Sequence, residues 1–278
     1  MVKKIEFDEI GYWSEVKLEI IRRYAKEYST ILSKQPSLRH YYVDAFSGAG
    51  RHRRKGTGES VEGSPLVALG ISPPFSGYWF IDLDAQKIEF LRKLIGDRKN
   101  VEVRTGDCNT VLHAEVFPSL SYESRARALC LIDPYGLHLD WSVLEEAGRA
   151  GTVEIFLNFP VADMNRNVFW KNPDGVDPQD IERMNRFWGN NSWRDTVYSR
   201  SGNLFGDEEK VSDNADVAAA FQKRLREVAG FKYVPNPLPM RNSQGAIVYY
   251  LFFASPNPTA DKIVRHIFDM FRDTGRVT

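Results

Sequence analysis

Apolar residues along the chain change between helical spacing and short continuous runs. Residues 13–32 carry apolar side chains at every third or fourth position, which predicts a helix with Ser14 as its N-cap. Later segments alternate in the same way. Strands are predicted at 41–46, 78–83, 101–104, 128–132 and 152–159, and helices at 64–69, 85–95 and 141–147. Strands that are apolar throughout and alternate with helices indicate a parallel sheet covered on both faces.

This alternation stops at Pro160 and resumes near Asp213. The intervening segment, at about 160–213, is rich in Asn, Asp, Trp and Arg, which predicts a mainly helical insertion. The elements predicted after it are a helix at 215–229, strands at 231–238 and 246–253, and a last helix at 259–272. The Asn-Ser-Gln-Gly turn between the two strands favours an antiparallel hairpin.

These elements predict an α/β fold with a doubly wound sheet, mostly parallel and ending in an antiparallel hairpin. An N-terminal helical segment, residues 1–38, is expected to pack on a domain formed by residues 39–278. A chain of 278 residues with 42% hydrophobic residues can bury a large core without disulfides or metal. Disordered, collagen-like and disulfide-knotted classes are therefore excluded.

Charge and cysteine content narrow the class of protein further. The chain has 37 Lys and Arg against 37 Asp and Glu, so a uniformly basic nucleic-acid binder is not expected, although a local basic patch stays open. Cys108 and Cys130 form no metal-type pair, and the five histidines lack ligand spacing, so no metal site is expected. With no signal-peptide pattern and no long apolar run, we expect a cytoplasmic protein.

The first predicted strand ends in Asp44, and the segment after it is Ala-Phe-Ser-Gly-Ala-Gly. Glycines at a strand end let the backbone approach a ligand closely, and open parallel sheets bind ligands at this edge. A dinucleotide fingerprint would place a third glycine at Arg53 and start a helix at once. Here a polar loop over 51–62 delays the helix to Ser64, so dinucleotide binding is disfavoured and a plain turn is the alternative.

Carboxylates also end the next two strands. Asp82 is a candidate to accept hydrogen bonds from ribose hydroxyls, whereas Asp84 fits an N-cap of the following helix. After the third strand, Asp107 could accept from an adenine amino group while Cys108 packs on the ring. Taken singly, each of these residues is equally compatible with an ordinary turn or cap.

The fourth strand ends in Asp133-Pro134-Tyr135-Gly136. A carboxylate beside a proline-constrained turn, followed by an aromatic ring, suits a flipped base: Asp133 would accept from an exocyclic amine and Tyr135 would stack. The alternative is a plain strand-to-helix turn, which also uses Asp and Pro.

In this order the strand ends resemble the S-adenosylmethionine-dependent methyltransferases of the Rossmann-like class. Asp44-x-Phe46-x-Gly48-x-Gly50 is similar to their first motif. The resemblance assigns the cofactor to Asp44, Phe46, Gly48, Gly50, Asp82, Asp107 and Cys108. Asp133, Pro134 and Tyr135 resemble, one proline short, the Asp/Asn-Pro-Pro-Tyr motif of amino-group methyltransferases.

A more specific resemblance is to the three-Cys-motif partner family, TcmP. It is carried by the helix with Trp13, Lys17-Leu18 and Tyr24, and by DAFSGAG, GSPLVAL, FIDLD, GDCN, IDPYG and EIFLNFP. It runs from about residue 13 to 160 and more loosely through the last strands and helix. The resemblance implies S-adenosylmethionine as cofactor and a neighbouring protein with a three-cysteine motif. The missing second proline and the long loop over 51–62 depart from the usual patterns.

The sequence therefore predicts an S-adenosylmethionine-dependent methyltransferase acting on an amino nitrogen of a nucleic-acid base, with Asp133, Pro134 and Tyr135 as catalytic residues. Two alternatives stay open: a cofactor-binding or catalytically degenerate partner subunit, and a nucleic-acid-binding module without chemistry. Arg51, Arg53 and Arg54 are candidates to bind phosphates, and a solvated loop would have the same composition.

Overall fold

Seven strands form the central sheet of the computed structural model, which describes residues 7–200 and 208–274. They are β1 (Arg39–Asp44), β2 (Gly77–Asp82), β3 (Val101–Thr105), β4 (Ala126–Ile132), β5 (Val153–Phe159), β6 (Leu238–Arg241) and β7 (Ile247–Ala254). Their order is β6-β7-β5-β4-β1-β2-β3. The first five strands are parallel, and β7 is antiparallel to both β5 and β6. The predicted doubly wound sheet with a terminal antiparallel hairpin is confirmed.

Helices cover both faces of the sheet. They are α1 (Tyr12–Leu32), α2 (Ser64–Leu69), α3 (Ala85–Ile95), α4 (Cys108–Val111), α5 (Trp141–Ala150), α6 (Val161–Asn167), α7 (Pro178–Trp188), α8 (Trp193–Val197), α9 (Asn214–Glu227) and α10 (Pro258–Thr274). Adjacent residues of one strand enter different cores: Tyr42 packs in the core with α1 and α10, and Val43 in the core with α5 and α9. This alternation explains why the strands are apolar throughout. Within the described residues, no helix is long and apolar enough to cross a membrane.

The segment expected to be an irregular loop, 51–62, instead forms a small β-ribbon. Strands Arg51–Arg54 and Ser60–Glu62 pair with each other, and Glu9–Ile10 pairs in parallel with the first of them. The prediction was wrong because the third strand comes from a distant part of the chain, which local composition does not reveal.

Two other details of the prediction were wrong. The first arm of the hairpin begins only at Leu238, because Pro235 and Pro237 lack the N–H groups that a strand ladder requires. The residue at the N-cap of α1 is Gly11, so Ser14 lies inside the first turn.

The insertion carries three of the helices, α6 to α8. Trp188 and Trp193 are buried there, and Trp188 lies 5.4 Å from Phe221 of α9, measured between ring centroids. Both belong to the core that the sheet forms with α5 and α9, whereas Trp170 is 43% exposed.

Helix α1 is fixed to the sheet by a buried polar contact. The Tyr24 hydroxyl donates to Glu154 of β5, and the Tyr24 ring lies edge-on to Phe253 with centroids 4.8 Å apart. Glu154 is only 6% exposed, and burial raises its pKa to about 7, although the Tyr24 and Ser255 hydroxyls oppose this. The fold therefore favours the protonated form of this carboxyl.

This buried acid predicts a pH-dependent stability. Because burial raises the pKa of Glu154 above its ordinary value of 4.5, the contribution of the protonated carboxyl to stability is complete below pH 4.5 and is lost as pH rises through about 7. Glu154 should lower the free energy of unfolding of the wild type by about 3 kcal/mol between about pH 5 and pH 8, and Glu154→Gln should not show this decrease. Urea unfolding at both pH values measures the free energy of unfolding, with the exposed Glu27→Gln as control. Parallel pH dependences of wild type and Glu154→Gln would contradict this account.

Candidate functional site

Three carboxylates meet at the carboxyl edge of the sheet. Asp44 ends β1, Asp82 ends the neighbouring β2, and Asp133 follows β4 on the other side of β1. Their proximity has an electrostatic effect, since burial first, and then the negative charges of Asp133 and Asp82, raise the pKa of Asp44 to about 7. The structure thus brings together three residues that the sequence selected separately.

Asp82 holds the glycine-rich segment in place. One of its carboxylate oxygens accepts from the Gly48 amide at 2.8 Å, and the other accepts from the Asp84 amide at 2.9 Å. Asp84 itself caps α3 as predicted, by accepting from the amides of Gln86 and Lys87. Each oxygen of Asp82 retains a second lone pair, so ribose hydroxyls can still donate to it.

Gly48 and Gly50 differ in the space that a side chain would have at each position. Gly50 has φ +74°, and a Cβ there would lie 2.7 Å from Leu91 Cδ1, so both conformation and space require it. Gly48 has φ +58°, but a Cβ would meet nothing within 4 Å. The space beside Gly48 is therefore open to a ligand.

Buried polar atoms without partners lie at the same point. One oxygen of Asp44 accepts from the Phe46 amide at 3.3 Å. Its other oxygen and the Ser47 hydroxyl make no close hydrogen bond to the described residues, although the Ser64 hydroxyl lies near enough to Asp44 to lower its pKa. Such groups are rare in folded proteins, because each unmade hydrogen bond is costly. A ligand with donor groups at this position would satisfy both.

The loop after β3 has a clear structural role. Asp107 accepts from the Thr110 amide at 3.1 Å and so caps α4. Cys108 is 5% exposed, and burial, together with the nearby Asp107 and Asp140 charges, raises its thiol pKa to about 12. The thiol therefore stays neutral and suits packing rather than nucleophilic attack. Asn109 accepts from the Asp140 amide at 2.8 Å and ties this loop to the one after β4.

Asp133 is held by two residues to which the sequence assigned no role. Lys17 of α1 forms an ion pair with one carboxylate oxygen, and Asn158 of β5 donates to the other at 2.7 Å. The Lys17 side chain is 9% exposed and lies over the Tyr249 ring. A sequence signal existed: Lys17 interrupts the apolar face of α1 between Val16 and Ile20.

Tyr135 points its hydroxyl at the N-terminal segment. The ring is 58% exposed, and the hydroxyl donates to Asp8 at 2.8 Å. Lys87 donates to both Asp8, at 2.7 Å, and the Tyr135 hydroxyl, at 3.3 Å. Although partial burial opposes both shifts, these contacts lower the pKa of Asp8 and raise that of Lys87. Pro134, which lies between Asp133 and Tyr135 in the sequence, is buried.

His52 of the ribbon also faces this site. Burial and the charge of Lys17 lower its pKa, while Asp8 and Asp133 act in the opposite direction. The imidazole is therefore mainly neutral near pH 7, and its buried Nδ1 has no hydrogen-bond partner among the described residues.

The three arginines proposed for phosphate binding lie in different surroundings. Arg54 makes a two-pronged contact to Glu15, at 2.9 and 2.8 Å, and a further one to Glu59, so its charge is already matched. Arg51 donates to the Ser60 hydroxyl at 3.2 Å, and Arg53 is exposed. A phosphate role therefore suits Arg51 and Arg53 better than Arg54.

Comparison with known proteins supports the fold. No family model and no curated protein matches the chain. The chain is similar to the crystal structure of protein LPL1258 from Legionella pneumophila, labelled family-model DUF519, with a TM-score of 0.57 and 14% identity over 96% of this chain and 94% of that one. At that identity the similarity concerns the fold alone.

More distant matches include two S-adenosylmethionine-dependent methyltransferases. One, from Anabaena variabilis, has a TM-score of 0.32 and 11% identity over 91% of this chain and 97% of that one. The other, from Aquifex aeolicus, has a TM-score of 0.34 and 13% identity over 90% and 99%. At these TM-scores they add no argument of their own, and the resemblance to the TcmP family stays a prediction. The strand order and the LPL1258 match together show an α/β fold with a mostly parallel sheet that ends in an antiparallel hairpin.

Proposed function

We propose that this chain is an S-adenosylmethionine-dependent methyltransferase acting on an amino nitrogen of a nucleic-acid base. The observation that carries the proposal is the pair of buried oxygens of Asp44 and Ser47 that make no close hydrogen bond, beside the open space at Gly48. The cofactor's ammonium group can donate to both oxygens. In this proposal Asp82 accepts from the ribose, and Asp107 and Cys108 border the adenine. Gly50 and Phe46 shape the turn that holds these groups.

The acceptor half of the site follows from the loop after β4. When bound, the cofactor supplies an electrophilic methyl group, so most of the catalysis left to the protein is positioning. Asp133 accepts an N–H of the acceptor amine and orients its lone pair, Tyr135 stacks on the base, and Pro134 fixes the turn between them. His52, neutral and with a partnerless Nδ1, offers a base for the proton that the nitrogen must lose.

A second candidate function is favoured by one specific observation. Asp133 is already paired with Lys17, and Tyr135 with Asp8, so both acceptor-site side chains are engaged inside the chain. A cofactor-binding partner subunit of a three-cysteine protein would need no acceptor there. The two candidates differ in one outcome, which is methyl transfer.

The cofactor site is tested by calorimetric titration with S-adenosylhomocysteine. Asp82→Asn should weaken binding about 10- to 100-fold, because hydrogen bonds to a charged group contribute about 1.5–3 kcal/mol. Asp97→Asn, an exposed aspartate in the loop after α3, is the matched control and should bind like the wild type. Absence of saturable binding by the wild type would reject the cofactor assignment.

Asp44 makes cofactor binding pH-dependent. Its pKa of about 7 means that the carboxyl ionises near neutral pH, and a cationic cofactor favours the ionised form. Affinity for S-adenosylmethionine should therefore rise about tenfold from about pH 6 to about pH 8, as the ionised fraction rises from about a tenth to about nine tenths. Asp44→Asn should remove this dependence, and uncharged methylthioadenosine should lack it. An equal slope for wild type and Asp44→Asn would exclude Asp44 from contact with the cofactor charge.

Methyl transfer is tested with labelled S-adenosylmethionine and pooled RNA and single-stranded DNA. Asp133→Ala should reduce incorporation at least 100-fold while S-adenosylhomocysteine binds within about threefold of the wild type, because positioning acts on the acceptor only. Normal incorporation by Asp133→Ala would remove this residue from the mechanism. Cofactor binding without incorporation by the wild type would favour the partner-subunit function.

A further inference from the structure

A broad groove opens at the surface beside the acceptor half of the site. It has a volume of about 1090 Å³ and lies between the start of α1, Lys55, the end of β6 with its turn, and the end of α10. We call it the α1–hairpin groove. The residues that matter for its chemistry are Tyr12, Trp13, Lys55, Met240, Arg241 and Arg272.

Sheet topology places this groove at the same edge as Asp133. Strands β5 and β6 are both antiparallel to β7, so they run in the same direction and the turn after Arg241 lies at the carboxyl edge. Helix α10 returns from the opposite edge, which brings Arg272 to the same place. The groove thus lies at the β6 end of the sheet, away from the glycine-rich segment that the cofactor would use.

Helix α1 links the groove to Asp133. Trp13 and Lys17 are four residues apart and therefore lie on one face of the helix, one turn from each other. Tyr249 connects them, since its hydroxyl donates to the Trp13 carbonyl at 3.3 Å and its ring lies under the Lys17 ammonium, 5.5 Å from it. A chain lying in the groove would therefore reach the Lys17–Asp133 pair within about one helical turn.

The groove carries a local positive charge. Lys55, Arg241 and Arg272 line it, and among the described residues its lining contains no carboxylate, although the formal net charge of the chain is zero. Arg241 and Arg272 each donate to one backbone carbonyl, at 2.8 Å in both cases, and Arg272 also lies 4.0 Å from a carboxylate oxygen of Asp269. Each guanidinium retains further N–H groups for a ligand. Such a positive strip attracts a polyanion.

We propose that the α1–hairpin groove binds the backbone of a single-stranded nucleic acid, whose target base enters the site at Asp133. This inference rests on the proposed function. The three cations contact phosphates, and the Tyr12 and Trp13 rings in the lining provide stacking surfaces for bases. We assign a single strand, because its bases are already unpaired, whereas a duplex would have to pay the free energy of unpairing and unstacking before a base reached Asp133.

The test is fluorescence anisotropy of labelled 12-nucleotide strands of RNA and of DNA, with a 12-base-pair duplex for comparison. Lys55→Gln/Arg241→Gln should weaken single-strand binding about tenfold or more at moderate salt. The slope of log affinity against log salt should decrease by about 1.4, since each contact to a single-stranded phosphate contributes about 0.7. The RNA and DNA arms identify which sugar the groove accepts.

The control is Lys26→Gln/Lys262→Gln, which removes the same charge from an exposed surface formed by α1 and α10. It should leave affinity within about twofold of the wild type. An equal or larger loss in this control would place the nucleic acid on that surface and overturn the proposal. Preferential binding of the duplex, or a groove variant whose only effect is to dissociate a dimer in sedimentation, would also overturn it.

S-adenosylhomocysteine binding separates this inference from the proposed function. If the cofactor product binds but neither RNA nor DNA strands do, the groove proposal fails while the methyltransferase proposal stands with another acceptor. If strands bind in the groove but the cofactor product does not bind, the groove proposal is supported and the methyltransferase proposal fails. The groove variant should retain wild-type affinity for S-adenosylhomocysteine, which also shows that it is folded.

Discussion

Three carboxylates at one edge of the sheet repel one another, and the structure around them must offset this repulsion. Parallel strands bring Asp82, Asp44 and Asp133 to neighbouring strand ends, and each carboxyl group is accommodated by different contacts or by a shift in its pKa. Asp82 accepts two backbone amides, Asp133 pairs with Lys17 and Asn158, and the pKa of Asp44 rises to about 7. The same arrangement holds the glycine-rich segment and α1 where a ligand site needs them.

The N-terminal segment is consequently part of the site and not merely a cover. Lys17 neutralises Asp133, Asp8 accepts from Tyr135, and Glu9–Ile10 pairs with the ribbon that carries His52. Tyr24 fixes the same helix to Glu154, which is otherwise a buried acid without a strong partner. An acceptor that uses Asp133 and Tyr135 must share or displace these internal contacts. Its binding is therefore coupled to the position of the N-terminal segment.

The two halves of the carboxyl edge of the sheet carry different groups. The ends of β1, β2 and β3 carry the glycine-rich segment, Asp82 and the Asp107–Cys108 loop, which suit an adenosyl group. The ends of β4, β5 and β6 carry Asp133, Asn158 and the cationic groove, which suit a larger anionic acceptor. A chain with no net charge can still have a positively charged strip on its surface, because its acidic and basic side chains are not evenly distributed.

Elements whose signals are local were predictable from the sequence alone. The bounds of α2 and α3 were predicted correctly, and Asp84 caps α3 by accepting from amides within three residues of itself. The strand-end motifs also located Asp44, Asp82 and Asp133 without the structure. The Lys17–Asp133 pair joins residues 116 positions apart, the ribbon recruits Glu9–Ile10, and the groove combines three distant segments. These features arise from tertiary packing, because burial, ion pairing and pKa depend on side chains that are distant in sequence and adjacent in the fold.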